Sequence, residues 1–140
     1  MNKITTCLPL KDNDGNSVID AVNTVTDTFS SIAQQLTGLP GNGLWKNDAG
    51  QLFSDPVLVL TAVLPETADI HTARGLAEAA LLRYKAEASQ ESVVMAINDD
   101  GTPGSVDDLL AAHGGCTQLT MDEEGNEIDR AFSFNNPIFL

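Results

Sequence analysis

The residues able to do chemistry in this chain are few, and most of them are carboxylates. Gln90-Glu91-Ser92 places three polar residues between the end of a helical pattern and an apolar strand. Gly or Asn would be ordinary in such a linker. A Glu here can accept backbone amides or the indole N–H of Trp45, which wants a partner when buried. That structural role is the preferred expectation. The alternative is a pocket at a sheet end or subunit interface, lined by Trp45, Gln90, Glu91 and Ser92. Glu91 would then be available as a general acid or base.

Other constellations read as plain structure. Asp12-x-Asp14-Gly15 has the flavour of a calcium loop, but Leu10 and Ala21 stand where further ligands are needed. The stretch from Asp122 to Asp129 fails the same test, and both are expected to be turns rich in Asp and Asn. His71 and His113 stand alone, and Cys7 and Cys116 form no CxxC pair, so no metal is expected. His113 near Cys116 has the types of a nucleophile pair, yet a Gly-Gly-Cys loop more often just ends a helix. Neither the Walker pattern nor the dinucleotide fingerprint occurs. No cofactor and no catalytic residue are expected.

Charge is the strongest feature of the composition. Seven basic residues face twenty acidic ones, a formal net charge of −13. This argues against direct nucleic-acid binding and against an anionic membrane surface, which both rely on Lys and Arg. Nine of the carboxylates lie from Asp99 onward, opposed only by Arg130. The first expectation is therefore a non-enzymatic binding or inhibitor protein of the immunity or anti-defence kind. Asp99, Asp100, Asp107, Asp108, Asp122, Glu123 and Glu124 would imitate phosphates toward a basic protein partner, such as a nuclease or nucleic-acid-binding protein. A small-molecule binder or enzyme, often dimeric through its sheet, is the alternative. A structural subunit docking through Ile138-Phe139-Leu140 is the third reading.

The elements that position these residues follow from hydrophobic periodicity. Ile4 to Leu8 reads as a strand, followed by a turn at Lys11–Asn16 and a helix cap at Ser17. Val18, Val22, Val25, Phe29, Ile32 and Leu36 recur at helical spacing, with Gly38 and Pro40 closing that helix. Gly43–Phe53 reads as a hairpin turning at Asn47–Gly50. The apolar run from Pro56 to Leu64 predicts a strand buried on both faces or central in its sheet. A second helix is expected from Asp69 to Ala88, packed through Ile70, Ala73, Ala77, Ala80, Leu81 and Tyr84. Arg74–Glu78 and Arg83–Glu87 would pair on its outside. A strand over Ser92–Ile97 completes the set.

Strand, helix, strand, strand, helix, strand folds most simply as a ferredoxin-like α+β sheet, antiparallel, with both helices on one face. Residues 1–98 would form this core. The acidic extension 99–140 would pack on it as part of one domain, with a short helix over Ser105–Ala112 and a hairpin within Thr117–Phe134. The apolar end is expected to tuck onto the core. The cysteine usage, and the lack of an apolar run for a leader or a membrane span, suggest reduced thiols in the cytoplasm.

Several of these residues also carry a family resemblance. Gly43-Leu44-Trp45-Lys46-Asn47-Asp48-Ala49-Gly50, the apolar strand after Asp55, and Tyr84-Lys85 followed by Gln90-Glu91-Ser92-Val93 resemble a bacterial family of small proteins of unknown function. The likeness spans roughly residues 18–97 and departs at Asp55, where a Glu is usual. It implies a ferredoxin-like fold and supplies no reaction.

Overall fold

Alternation along the strands divides the sheet into two faces, and that division places everything else. The computed structural model describes residues 2–46, 48–99, 115–121, 127–134 and 138–140. In chain order the elements are β1 (Asn2–Pro9), α1 (Ile19–Ile32), β2 (Gln35–Lys46), β3 (Leu52–Val63), α2 (Ile70–Glu87), β4 (Val94–Asp99), β5 (Gly115–Met121), β6 (Glu127–Phe134) and β7 (Ile138–Phe139). They build one sheet in the order β5-β6-β2-β3-β1-β4-β7. The central β2-β3-β1-β4 pairs are antiparallel, and with two helices they form the expected ferredoxin-like α+β arrangement.

Ile4, Leu8, Leu60, Ala62 and Met95 point from the sheet into one core with Val22, Val25 and Phe29 of α1 and Ala77, Leu81 and Tyr84 of α2. Both helices therefore cover the same face. The intervening positions face the other way, where Thr5, Val59, Thr61, Val63 and Ala96 are also buried. β3 is thus central and buried on both faces, as its unbroken apolar run predicts. The Thr5 and Thr61 hydroxyls, opposite each other in the β1–β3 register, meet at 3.3 Å.

The second helix follows its sequence signals closely. The Asp69 carboxylate caps it, accepting from the His71 amide and the Thr72 hydroxyl at 3.0 Å each. The Thr72 and His71 hydrogen bonds hold that carboxyl below its usual range. Arg74–Glu78 and Arg83–Glu87 pair at 2.9 and 2.7 Å on the exposed side.

The first helix departs from expectation at both ends. Val18, not Ser17, occupies its N-cap without a side-chain cap bond, and the Ser17 hydroxyl reaches only the Ile19 amide at 3.4 Å. The helix stops at Ile32, where Ala33 turns extended. Leu36 still joins the core, but from a strand opposite Ala62. The reason is β3: a buried strand needs a hydrogen-bonded neighbour, and Gln34 already donates to the Val63 carbonyl at 2.8 Å. Gly38 and Pro40, poor helix residues, are then strand positions opposite Leu60 and Leu58. The expected hairpin is correspondingly longer, and Leu52–Phe53 and the run after Pro56 are one strand. Gly50 closes its turn at φ +80.

In the extension, β5 and β6 form the expected hairpin, and β6 meets β2 in parallel at Asn42 and Ala131. The helix expected over Ser105–Ala112 lies outside the described residues. The tail tucks in: β7 pairs with β4, Leu140 exchanges backbone bonds with Val93, and Ile138 and Leu140 pack on the core. Among the described residues no helix is long and apolar enough to cross a membrane.

Candidate functional site

On the sheet face away from the helices, at the end where β1 finishes, lies a cavity of about 410 Å³. Register explains who meets there. Cys7 is opposite Val59 and Val94, Pro9 is opposite Val57, and Gly43 is opposite Asp55. Paired residues share a face, so Cys7, Pro9, Gly43, Asp55, Val57 and Val94 form one wall. A Cβ on Gly43 would come within 3.0 Å of Val57 Cγ1, so glycine keeps that wall close and low. Leu44 and Phe139 supply exposed apolar surface at the edge.

The opposite wall comes from two loops. Asn13 projects from the Lys11–Ser17 loop, whose Asp12 carboxylate accepts the amides of Asp14 and Asn16 at 3.0 and 2.8 Å. The Asp12–Gly15 stretch is thus an Asx-type turn. Gln90, Glu91 and Ser92 come from the turn after α2. Ser89 ends that helix in the left-handed region at φ +52. The Gln90 amide then closes back on the Lys85 carbonyl at 2.9 Å, the manner in which αL residues terminate helices. A non-glycine residue held so costs about 1 kcal/mol or more, and here it aims the polar triplet at the cavity.

Buried groups beneath the wall stiffen it. The Tyr84 phenol, 1% exposed, donates to the Pro9 carbonyl. Burial, with the nearby Cys7 as a lesser contribution, raises the Tyr84 pKa. Burial likewise pushes the Cys7 thiol up from 9.0 to about 12. Cys7 is a free thiol, and in its protonated form it serves as a small apolar wall rather than a nucleophile.

These raised values fix the direction of a pH effect. Below about pH 8 both groups are largely protonated, folded or unfolded, and stability hardly depends on them. Above it the unfolded chain releases protons that the folded chain retains, so stability falls as pH rises toward the folded pKa. Each group is expected to contribute a slope of about 1.4 kcal/mol per pH unit, from about pH 9 for Cys7 and about pH 10 for Tyr84. Denaturant titrations at stepped pH should show this decline. Cys7→Ala should abolish the part that begins near pH 9 and leave the later part.

The structure places Gln90, Glu91 and Ser92 of the expected pocket set beside one cavity, and the side chain of Trp45 lies outside the described residues. Glu91 is exposed at the cavity and not enclosed in the core; its expected contact with the Trp45 indole lies outside the described residues. Trp45 stands opposite Phe53, next to the lining residue Leu44. Sequence reading missed Cys7, Asn13, Asp55 and Phe139 as site residues. Only Asp55 carried a local signal, an acid at the head of an apolar strand. Of the acidic set, Asp99 ends β4. Asp100, Asp107, Asp108, Asp122, Glu123 and Glu124 lie outside the described residues. A more open groove at the start of α1 holds Asp12, Asp20 and Glu87, but Glu87 is already paired with Arg83.

No protein-family model and no curated protein sequence matches the chain. Two solved structures share its fold. One is a phage SAM lyase in the apo state, with 15% identity and a TM-score of 0.51, covering 96% of this chain and 90% of that one. The other is a phage SAM lyase in complex with S-methyl-5'-thioadenosine, with 14% identity and a TM-score of 0.55, covering 96% of this chain and 89% of that one. At these identities the likeness is one of fold. It nonetheless runs against the expectation of a non-enzymatic acidic inhibitor and of a chain without catalysis, because both of these matched chains are lyases. Charge alone misled here: a high acid content says how a surface behaves in water, and nothing about whether a cavity lies beneath it.

Proposed function

We propose that this chain is an enzyme that binds S-adenosylmethionine, or a close adenosyl sulfonium, beside Glu91 and cleaves one of its carbon–sulfur bonds without water. The observation that carries this is the cavity itself. Asp55 and Glu91 line it together with the apolar residues Val57, Val94, Leu44 and Phe139 and the neutral polar residues Asn13, Gln90 and Ser92, and its volume is within the range of ligand pockets, about 300–1,000 Å³. A cationic ligand with a flat apolar body suits that mixture. The shared fold with phage SAM lyases, one of them holding S-methyl-5'-thioadenosine, supports the same class of ligand.

Elementary electrostatics assigns the two kinds of wall different work. When the bond breaks, sulfur takes the bonding pair and becomes a neutral thioether. The carbon end is discharged without water by closing onto a nucleophile of the same molecule, the new bond forming as the carbon–sulfur bond breaks. Positive charge on sulfur therefore disappears along the reaction. A carboxylate against the sulfonium would stabilise the ground state more than the transition state and slow the step. The productive arrangement holds the ligand's ammonium end at Asp55 and Glu91. The sulfur then lies against the apolar residues, where loss of charge is favoured by exclusion of water.

Incubation of the purified chain with S-adenosylmethionine, followed by chromatography, tests the reading. S-methyl-5'-thioadenosine should accumulate in step with substrate loss, with no incorporation of oxygen from labelled water into the other product during the bond-breaking step. Absence of both turnover and binding would remove the proposal.

A further inference from the structure

Two side-chain amides border the cavity, and the hydrogen bonds they already make decide which end of each is left over. Gln90 Nε2 donates to the Ala88 carbonyl at 3.1 Å and to the Lys11 carbonyl at 3.5 Å. A primary amide nitrogen has two hydrogens, and main-chain carbonyls only accept. The Nε2 end of the Gln90 amide is therefore the one turned toward these carbonyls, closely to Ala88 and at longer range to Lys11. Asn13 Nδ2 donates in the same sense to the Ser89 carbonyl at 3.4 Å. These bonds tie the loop after β1 to the turn after α2. Gln90 lines the same cavity as Asp55 and Glu91, and Oε1 is the end of its side-chain amide that neither carbonyl engages.

We infer that Gln90 is a specificity-determining residue that requires a neutral hydrogen-bond donor on the nucleoside part of the ligand. The inference rests on the adenosyl reading above. An adenosine offers such donors in two places, the 6-amino group of the base and the ribose hydroxyls. A nucleoside with only an acceptor at the contacting position would set lone pair against lone pair at Oε1. Gln90 cannot turn to present N–H instead without abandoning two carbonyls. Discrimination thus comes from the backbone acceptors that hold the amide, more than from the amide as such.

Calorimetric titration of the full chain tests this with S-methyl-5'-thioadenosine, its 6-oxo counterpart and its 2'- and 3'-deoxy counterparts. The unmodified chain should bind one analogue about tenfold more weakly than S-methyl-5'-thioadenosine, and that analogue identifies the donor. Gln90→Met keeps the length and lacks the acceptor, so it should bind all four within about twofold of one another. Gln90→Glu removes both bonds to the carbonyls that hold the side chain, so it should discriminate less than the unmodified chain. Equal binding of all four by the unmodified chain would overturn the role of Gln90 and leave the adenosyl reading standing. So would discrimination that persists undiminished in Gln90→Met or in Gln90→Glu. No binding of S-methyl-5'-thioadenosine by the unmodified chain would overturn both.

Discussion

Glu91→Gln and Asp55→Asn are each expected to raise KM for S-adenosylmethionine by about 10–100-fold while kcat changes little. The magnitude follows from loss of one charge-assisted hydrogen bond to an ammonium group, about 1.5–3 kcal/mol. The split follows from where the charge stands. The ammonium end is unchanged between ground and transition states, so its contacts are uniform binding and appear in KM. Each variant should bind S-methyl-5'-thioadenosine, which lacks the ammonium group, within about twofold of the unmodified chain. Steady-state kinetics beside calorimetry would check both halves. A fall in kcat of comparable size with KM unchanged would instead make the carboxylate a base, and the division of labour between the two walls would be wrong. Glu91 is exposed at the rim, so its substitution is expected to leave the thermal midpoint unchanged.

Tyr84 is where a stability change should be largest while still reaching the site. It is among the largest fully buried side chains, packed with the α1 and sheet core and hydrogen-bonded to Pro9. Tyr84→Ala is expected to cost about 3–5 kcal/mol, the range for removing a buried aromatic ring. Tyr84→Phe keeps the ring and leaves the Pro9 carbonyl without this donor, for about 1–3 kcal/mol. Urea denaturation should separate the two. Because Pro9 lines the cavity, Tyr84→Phe should also weaken S-methyl-5'-thioadenosine binding severalfold. A Tyr84→Phe protein as stable as the original would show that the hydrogen bond contributes nothing net and that water replaces it.

Much of the fold is legible in the residues because local signals agree with the global solution there. The α2 stripe from Ile70 to Tyr84, its Asp69 cap and the unbroken run of β3 each point to the observed element. The stretch after Ile32 misleads because Leu36 satisfies two patterns at once. It continues the helical spacing of α1 and also faces the same core from β2, and only the need of β3 for a neighbour decides between them. The site is less legible for a different reason. Cys7, Asp55, Glu91 and Phe139 lie on four separate segments, and strand register and chain return bring them together without any motif spacing. Gln90-Glu91-Ser92 stood out because polar residues interrupted an apolar pattern. The acidic extension drew attention by charge, which is global and has no position in a fold.

The alternation of β1 has a consequence for how this protein can change. Ile4 and Leu8 fill the helix-side core, while Cys7 and Pro9 wall the cavity on the reverse side. A one-residue slip of β1 against its neighbours would exchange the two sets, sending Leu8 toward the cavity and Cys7 toward the helices. Insertions in the first strand should therefore be lost by natural selection as a class, whereas the turn between β2 and β3 can vary in length without exchanging any face. A collection of randomly lengthened genes, sorted for folded protein, should show that boundary sharply.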